Sequence, residues 1–145
     1  MMLDQRGATV LIVSDDAELG ALVALNLRLR GFFVEHTDLV LALTPRWSPS
    51  FGHPDLLIVN VESAERVSPT DLRRLVERPW AQGAPLLVAS ENPAWLAREV
   101  HRPLTTVLAR PDDVGAILLA TRALLAETSA QPSACYTLAN RIEAS

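Results

Sequence analysis

The chain has 145 residues, 49% of them apolar, and a formal net charge of -4. That size and composition suit one domain with a real core and exclude disorder through most of its length. The acidic balance argues against nucleic-acid binding by bulk electrostatics, and no apolar run reaches the ~18 residues a membrane helix needs. Cys135 is the only cysteine, which excludes an intramolecular disulfide or a cysteine-cluster metal site. Met1 to Gly7 carries Asp4 and Arg6 and does not resemble a secretory leader, so a cytoplasmic protein is expected. All 13 basic side chains are arginine.

Val10 to Val13 is a short apolar run that ends in Ser14-Asp15-Asp16. Leu19, Leu22, Val23 and Leu29 then recur at helical spacing, with Asp16 placed to cap the helix and Gly31 to stop it. Phe32 to Glu35 reads as a second strand, followed by a short helix from Thr37 or Asp38 through Leu43 that Pro45 ends. Arg46 to Gly52 reads as a loop. His53-Pro54-Asp55 leads into Leu56-Leu57-Ile58-Val59, a third strand with the composition of one buried on both faces, and the chain then emerges at Asn60.

Ser68-Pro69-Thr70-Asp71 is a helix start: a capping serine, proline in the first turn and an acid three residues on. Pro79 ends that helix. Pro85 to Ala89 is a fourth strand followed by Ser90, Asn92-Pro93 opens a helix through Trp95, Leu96 and Val100, and Thr105 to Ala109 is a fifth strand. Arg110-Pro111-Asp112 leads into a last helix with Val114, Ile117, Leu118, Thr121 and Leu125 on one face. The pattern fades from Thr128, which divides the chain into an N-terminal lead (1–8), one domain (9–128) and a C-terminal tail or linker (129–145). Strands alternating with helices imply a doubly wound parallel sheet of order 2-1-3-4-5, helices on both faces, and a site at the carboxyl ends of strands one and three.

Those strand ends present Ser14-Asp15-Asp16, His36-Thr37, Asn60, Ser90 and Arg110-Pro111. In order and spacing, roughly Thr9 to Ala126 resembles the CheY-like receiver domains of bacterial response regulators, which have a flavodoxin-like fold. The resemblance implies an acidic pair after strand one, a phosphoacceptor aspartate after strand three, a hydroxyl after strand four and Lys-Pro after strand five. Pro54 to Val59 resembles the family's approach to the phosphoacceptor and places that position at Asn60. The first acidic position falls on Ser14 and the second on Asp15, with Asp16 able to substitute in a register slipped by one. Ser90 fits the hydroxyl, Arg110 replaces the lysine, Pro111 fits the following proline, and the switch aromatic falls on Val107.

An amide is no nucleophile for phosphoryl transfer, and one acid beside an asparagine is a poor donor set for Mg²⁺. The resemblance is therefore to a degenerate receiver, or pseudo-receiver, with no cofactor and with Mg²⁺ binding weak or absent. Asn60 either mimics a fixed signalling state or frees the domain from phosphorylation, or it belongs to a drifted pocket and hydrogen-bonds to loop amides. Helix capping outweighs metal binding at Asp15 and Asp16, with Asp15 the remaining metal candidate. An ion pair with Asp15 is the expected role of Arg110, and a local backbone hydrogen bond that of Ser90. His36, His53 and His101 suggest no metal site. Trp47, Trp80 and Trp95 read as packing residues or exposed anchors, Trp80 and Trp95 as candidates for a partner surface. Leu119 and Ala123 lie off the main stripe of the last helix and, with Trp95, are interface candidates.

The expected function is a phosphorylation-independent interaction or dimerisation module of a two-component-type signalling protein. Its protein partner or second copy would dock on the face made by the helix after Asn92-Pro93, the fifth strand and the last helix, as in receivers resembling this one. The alternative is a small-ligand or anion sensor that reuses the pocket through Arg110 and helix N-termini. An enzyme lacks support, since no glycine loop follows strand one and no nucleophile–base pair is present. A phosphoacceptor at Asp55 or Asp16 would need a slipped register.

Overall fold

The apolar runs form the sheet. A computed structural model describes residues 7–61, 68–91, 105–108 and 113–130. Its strands are β1 (Thr9–Ser14), β2 (Phe33–Thr37), β3 (Leu56–Val61), β4 (Leu86–Ser90) and β5 (Thr105–Leu108). They pair in the order β2-β1-β3-β4-β5, every pair parallel. The helices are α1 (Ala17–Leu29), α2 (Leu39–Ala42), α3 (Pro69–Val76) and α4 (Val114–Ala130), with a 3₁₀ turn at Pro79–Ala81. The helix expected after Asn92-Pro93 lies outside the described residues. Among those described, no helix is long and apolar enough to cross a membrane.

Side-chain alternation divides the core into two layers. Leu11, Val13, Leu57, Val59, Leu86 and Val88 pack with Ala42 of α2, Leu72 and Leu75 of α3, and Trp80. Val10, Ile12, Leu56, Ile58, Leu87 and Ala89 pack on the other face with Val23, Ala24 and Leu27 of α1 and Ile117, Leu124 and Leu125 of α4. Both faces of β3 and β4 are buried throughout, which is why they read as continuous apolar runs rather than alternating ones.

The helix starts follow their sequence signals. The Asp16 carboxylate accepts from the Glu18 and Leu19 amides at 3.0 and 3.1 Å. Ser68 and Asp71 form a reciprocal capping box at α3, and Asp113 accepts from the Ala116 amide at 3.0 Å. After α1 the chain turns at Gly31, whose φ of 94° lies in the left-handed region that glycine tolerates.

Three features depart from the expectation. β2 begins one residue later and includes His36 and Thr37. The Trp80 side chain is buried and meets Trp47 edge to face, ring centroids 5.4 Å apart at 80°, so it is a core residue and not part of a partner surface. On α1, Leu22 and Leu29 point outward, and the inner face belongs to Gly20, Val23, Ala24 and Leu27.

Gly20 is buried for a steric reason. A Cβ at that position would fall within the imidazole of His36, which lies against α1 from β2. Burial, with the Arg28 charge as the next cause, lowers the His36 pKa from its usual value near 6.5, while Asp38 opposes the shift. Neutral imidazole is thus favoured by the fold. The contact stabilises above about pH 6.5, and that stabilisation is lost as pH falls through the lowered pKa. We expect Gly20→Ala to cost about 1–2 kcal/mol by overpacking. In a His36→Ala background the same change should be neutral or stabilising, by up to about 1 kcal/mol from helix propensity. Denaturant titrations of the four-protein cycle at pH 8 and pH 5 check this, with smaller coupling expected at pH 5. Additive single and double changes at pH 8 would refute the contact.

Candidate functional site

The carboxyl edge is assembled by strand register. Ser14 of β1 stands opposite Asn60 of β3, Asn60 opposite Ala89 of β4, and Val61 opposite Ser90. β3 runs past its apolar stretch to Val61, so Asn60 lies within the strand and not in a loop beyond it. Ser14 is 3% exposed, and Asn60 and Ser90 are 0% exposed. By alternation with Val13 and Val59, the Ser14 and Asn60 side chains lie on the α1/α4 side of the sheet.

The polar groups at the end of β1 are committed locally. Ser14 Oγ donates to the Asp16 carbonyl at 2.7 Å and accepts from the Asp16 amide at 3.0 Å. The Asp15 amide donates to the Asn60 carbonyl at 3.2 Å and continues the ladder past Ser14. Asp15 is half-buried, and the Asp16 carboxylate is the α1 cap. Asn60 makes further contacts through other atoms, while its Oδ1 accepts no hydrogen bond. Among the described residues, no group of three or more His, Cys, Asp or Glu side chains comes together to hold a metal ion.

Ser14, Asp15, Asp16 and Asn60 therefore meet at the adjoining ends of β1 and β3, with Ser90 one strand over. Arg110, Pro111 and Trp95 lie outside the described residues. Val107 sits in β5 opposite Val88, half-buried. Leu119 and Ala123 are exposed on α4, Leu119 to 70%. A slipped register that uses Asp55 fails on geometry. Asp55 lies at the amino end of β3, where its carboxylate accepts from the Thr9 amide at 2.8 Å and the Thr9 hydroxyl at 3.2 Å. Asp16 is spent on the helix cap. Sequence reading missed the exposed face of α1. A second apolar stripe, Leu22-Leu25-Leu29, was the available signal.

A parallel five-stranded sheet of order 2-1-3-4-5, with polar strand ends gathered at the carboxyl edges of β1, β3 and β4, is the CheY-like, flavodoxin-like fold of receiver domains. Solved structures match it. A putative response regulator from Chloroflexus aurantiacus J-10-fl is 22% identical with a TM-score of 0.62, over 83% of this chain and 99% of that one. A CheY-like response regulator protein from Mesorhizobium loti is 18% identical with a TM-score of 0.61, over 82% and 99%. A sensor protein from Polaromonas sp. JS666 is 21% identical with a TM-score of 0.60, over 83% and 97%. No family model and no curated protein sequence matches the chain.

Proposed function

We propose that this chain is a receiver-type module of a two-component-type signalling protein that acts without being phosphorylated, as a cytoplasmic protein-interaction unit and not as an enzyme. The observation that carries the reading is Asn60. The resemblance puts it at the strand-three position at which receivers bear their phosphoacceptor; it is an amide, and it is 0% exposed opposite Ser14. A carboxamide nitrogen is delocalised into its carbonyl and does not attack a phosphoryl group. The surrounding donors do not suit Mg²⁺, which favours anionic oxygens. Ser14 replaces an acid and spends its hydroxyl on Asp16, and Asp16 caps α1. Asp15 alone supplies too little charge.

The partner-facing surface in this reading is the side of the domain that carries β5 and α4. Leu119 and Ala123 are exposed there, and Leu119 is too large an apolar group to be indifferent to cover. Acetyl phosphate, or beryllofluoride with Mg²⁺, should give neither a mass gain nor a Mg²⁺-dependent rise in melting temperature. A phosphoadduct in the intact mass, or a shift that requires Mg²⁺, would overturn the proposal.

A further inference from the structure

α1 is apolar on two opposite sides. Its inner side is buried in the core. Its outer side carries Leu22, Leu25 and Leu29, which are 47%, 52% and 74% exposed. Steps of three and four residues place these leucines in one stripe about 60° wide at 100° per residue. A surface helix of a globular protein typically carries one apolar stripe, and the second stripe of α1 is left to solvent. Among the described residues, the elements packed against α1 are the sheet and α4.

The charges beside the stripe select the cover. Glu18 stands one turn before Leu22, while Arg28 and Arg30 flank Leu29. Arg28 donates to the Val34 carbonyl of β2 at 2.9 Å and Arg30 to the Asn26 carbonyl of α1 itself at 2.8 Å, so both guanidinium groups are held near the C-terminal end of the helix. A second α1 packed antiparallel about a two-fold axis between Leu22 and Leu25 sets Leu22 against Leu25 of the other copy. The same operation brings Glu18 beside the other copy's Arg28 and Arg30, and it opposes the helix dipoles favourably. Parallel packing would instead set arginine on arginine. The three- and four-residue spacing is also the one that lets leucines of paired helices interdigitate.

We propose that the outer face of α1 is a self-association surface, occupied by the α1 helix of a second copy in antiparallel orientation. The three leucines expose on the order of 300 Å², a patch of the size that marks interaction sites on monomer surfaces. A standard interface buries roughly 800 Å² per partner, so Ala21 beside the leucines and a polar rim of Glu18, Asn26 and the two arginines complete it. The surface belongs to α1 and leaves the exposed Leu119 and Ala123 to a different partner. It does not depend on whether Asn60 abolishes phosphorylation.

Sedimentation velocity across a concentration series tests the surface. Wild type is expected to dimerise. Leu25→Glu should weaken dimerisation at least tenfold without loss of the far-UV circular dichroism signal. Val40→Glu, which places the same charge on an 82% exposed residue of α2, should leave the dimer intact. Glu18→Arg should weaken association, and adding Arg30→Glu should restore it, because the two-fold then pairs the exchanged charges. A wild type that stays monomeric at every concentration, or a dimer indifferent to Leu25→Glu, overturns the proposal. So does a charge exchange that fails to restore what Glu18→Arg removes.

Discussion

Trp80→Ala is expected to lower the unfolding free energy by about 3–5 kcal/mol, a large share of the roughly 5–15 kcal/mol that holds a domain of this kind folded. Trp80 is 6% exposed and fills the layer between the sheet and the α2/α3 side, in one cluster with Leu11, Leu57, Val59 and Leu86. Its truncation leaves a void that rigid strands on one side cannot close. It also removes the edge-to-face contact with Trp47, which contributes about 0.5–1.5 kcal/mol beyond area burial. That contact seats the loop after α2, which Arg78 also holds through the Thr44 and Pro45 carbonyls at 3.3 and 2.7 Å. The indole Nε1 of Trp80 is buried with no hydrogen-bond partner, so Trp80→Phe should cost much less than Trp80→Ala. Urea unfolding followed by circular dichroism separates the two. A Trp80→Ala loss below about 1 kcal/mol, the scale of a surface change, would contradict the packing described.

The sequence announces the strands well and their ends poorly, for one reason. Apolar runs report which residues are buried, but the hydrogen-bond ladder is a backbone property that continues where side chains turn polar. Asn60, Ser90, His36 and Thr37 all lie inside strands because their neighbours across the ladder are present, and composition alone suggests that the strands have ended. The caps at Asp16 and Ser68 are legible because the capping group and the amides it serves lie within three residues. The Trp47–Trp80 pair and the seat of His36 on Gly20 join residues 33 and 16 positions apart. Only topology brings such pairs together. The exposed side of α1 is a different kind of miss. Leu22 and Leu29 fit a helical period, but a period does not say which of two apolar stripes faces the sheet. At the candidate site, the sequence placed Ser14, Asp15, Asp16, Asn60 and Ser90 at strand ends, and the fold sets them along the carboxyl edge. The sequence did not reveal that Ser14 and Asp16 are bonded to each other and that Asn60 is fully enclosed.

That enclosure sets the expected result of the reverse substitution. Asn60→Asp should destabilise the protein by about 2–3 kcal/mol at pH 7, because it puts a carboxylate at a 0% exposed position. Among the described residues, the ladder partners of Asn60, Ser14 and Ala89, carry no positive charge. Desolvation raises the pKa of such a carboxyl above its unfolded value near 3.9, so the folded state binds more protons than the unfolded state between the two values. The penalty is therefore largest at neutral pH, shrinks as pH falls, and vanishes below about pH 4, where the neutral acid is nearly isosteric with the amide. Melting curves of both proteins at pH 7, 5.5 and 4 should converge toward the acid end. Mg²⁺ should not rescue the variant at pH 7, because Ser14 still stands at the first of the two acidic positions and leaves Asp15 as the variant's one partner carboxylate there. If Asn60→Asp is instead as stable as wild type at pH 7, or gains stability when Mg²⁺ is added, the carboxylate has found a counter-charge at this edge. The pocket would then be a dormant phosphoryl-transfer site that a single residue holds inactive. Convergence at low pH, with no response to Mg²⁺ at any pH, means that the site has been rebuilt as part of the core. Asn60 is then retained as a neutral group that the closed strand end can accommodate, and its lost nucleophile is a consequence of that closure.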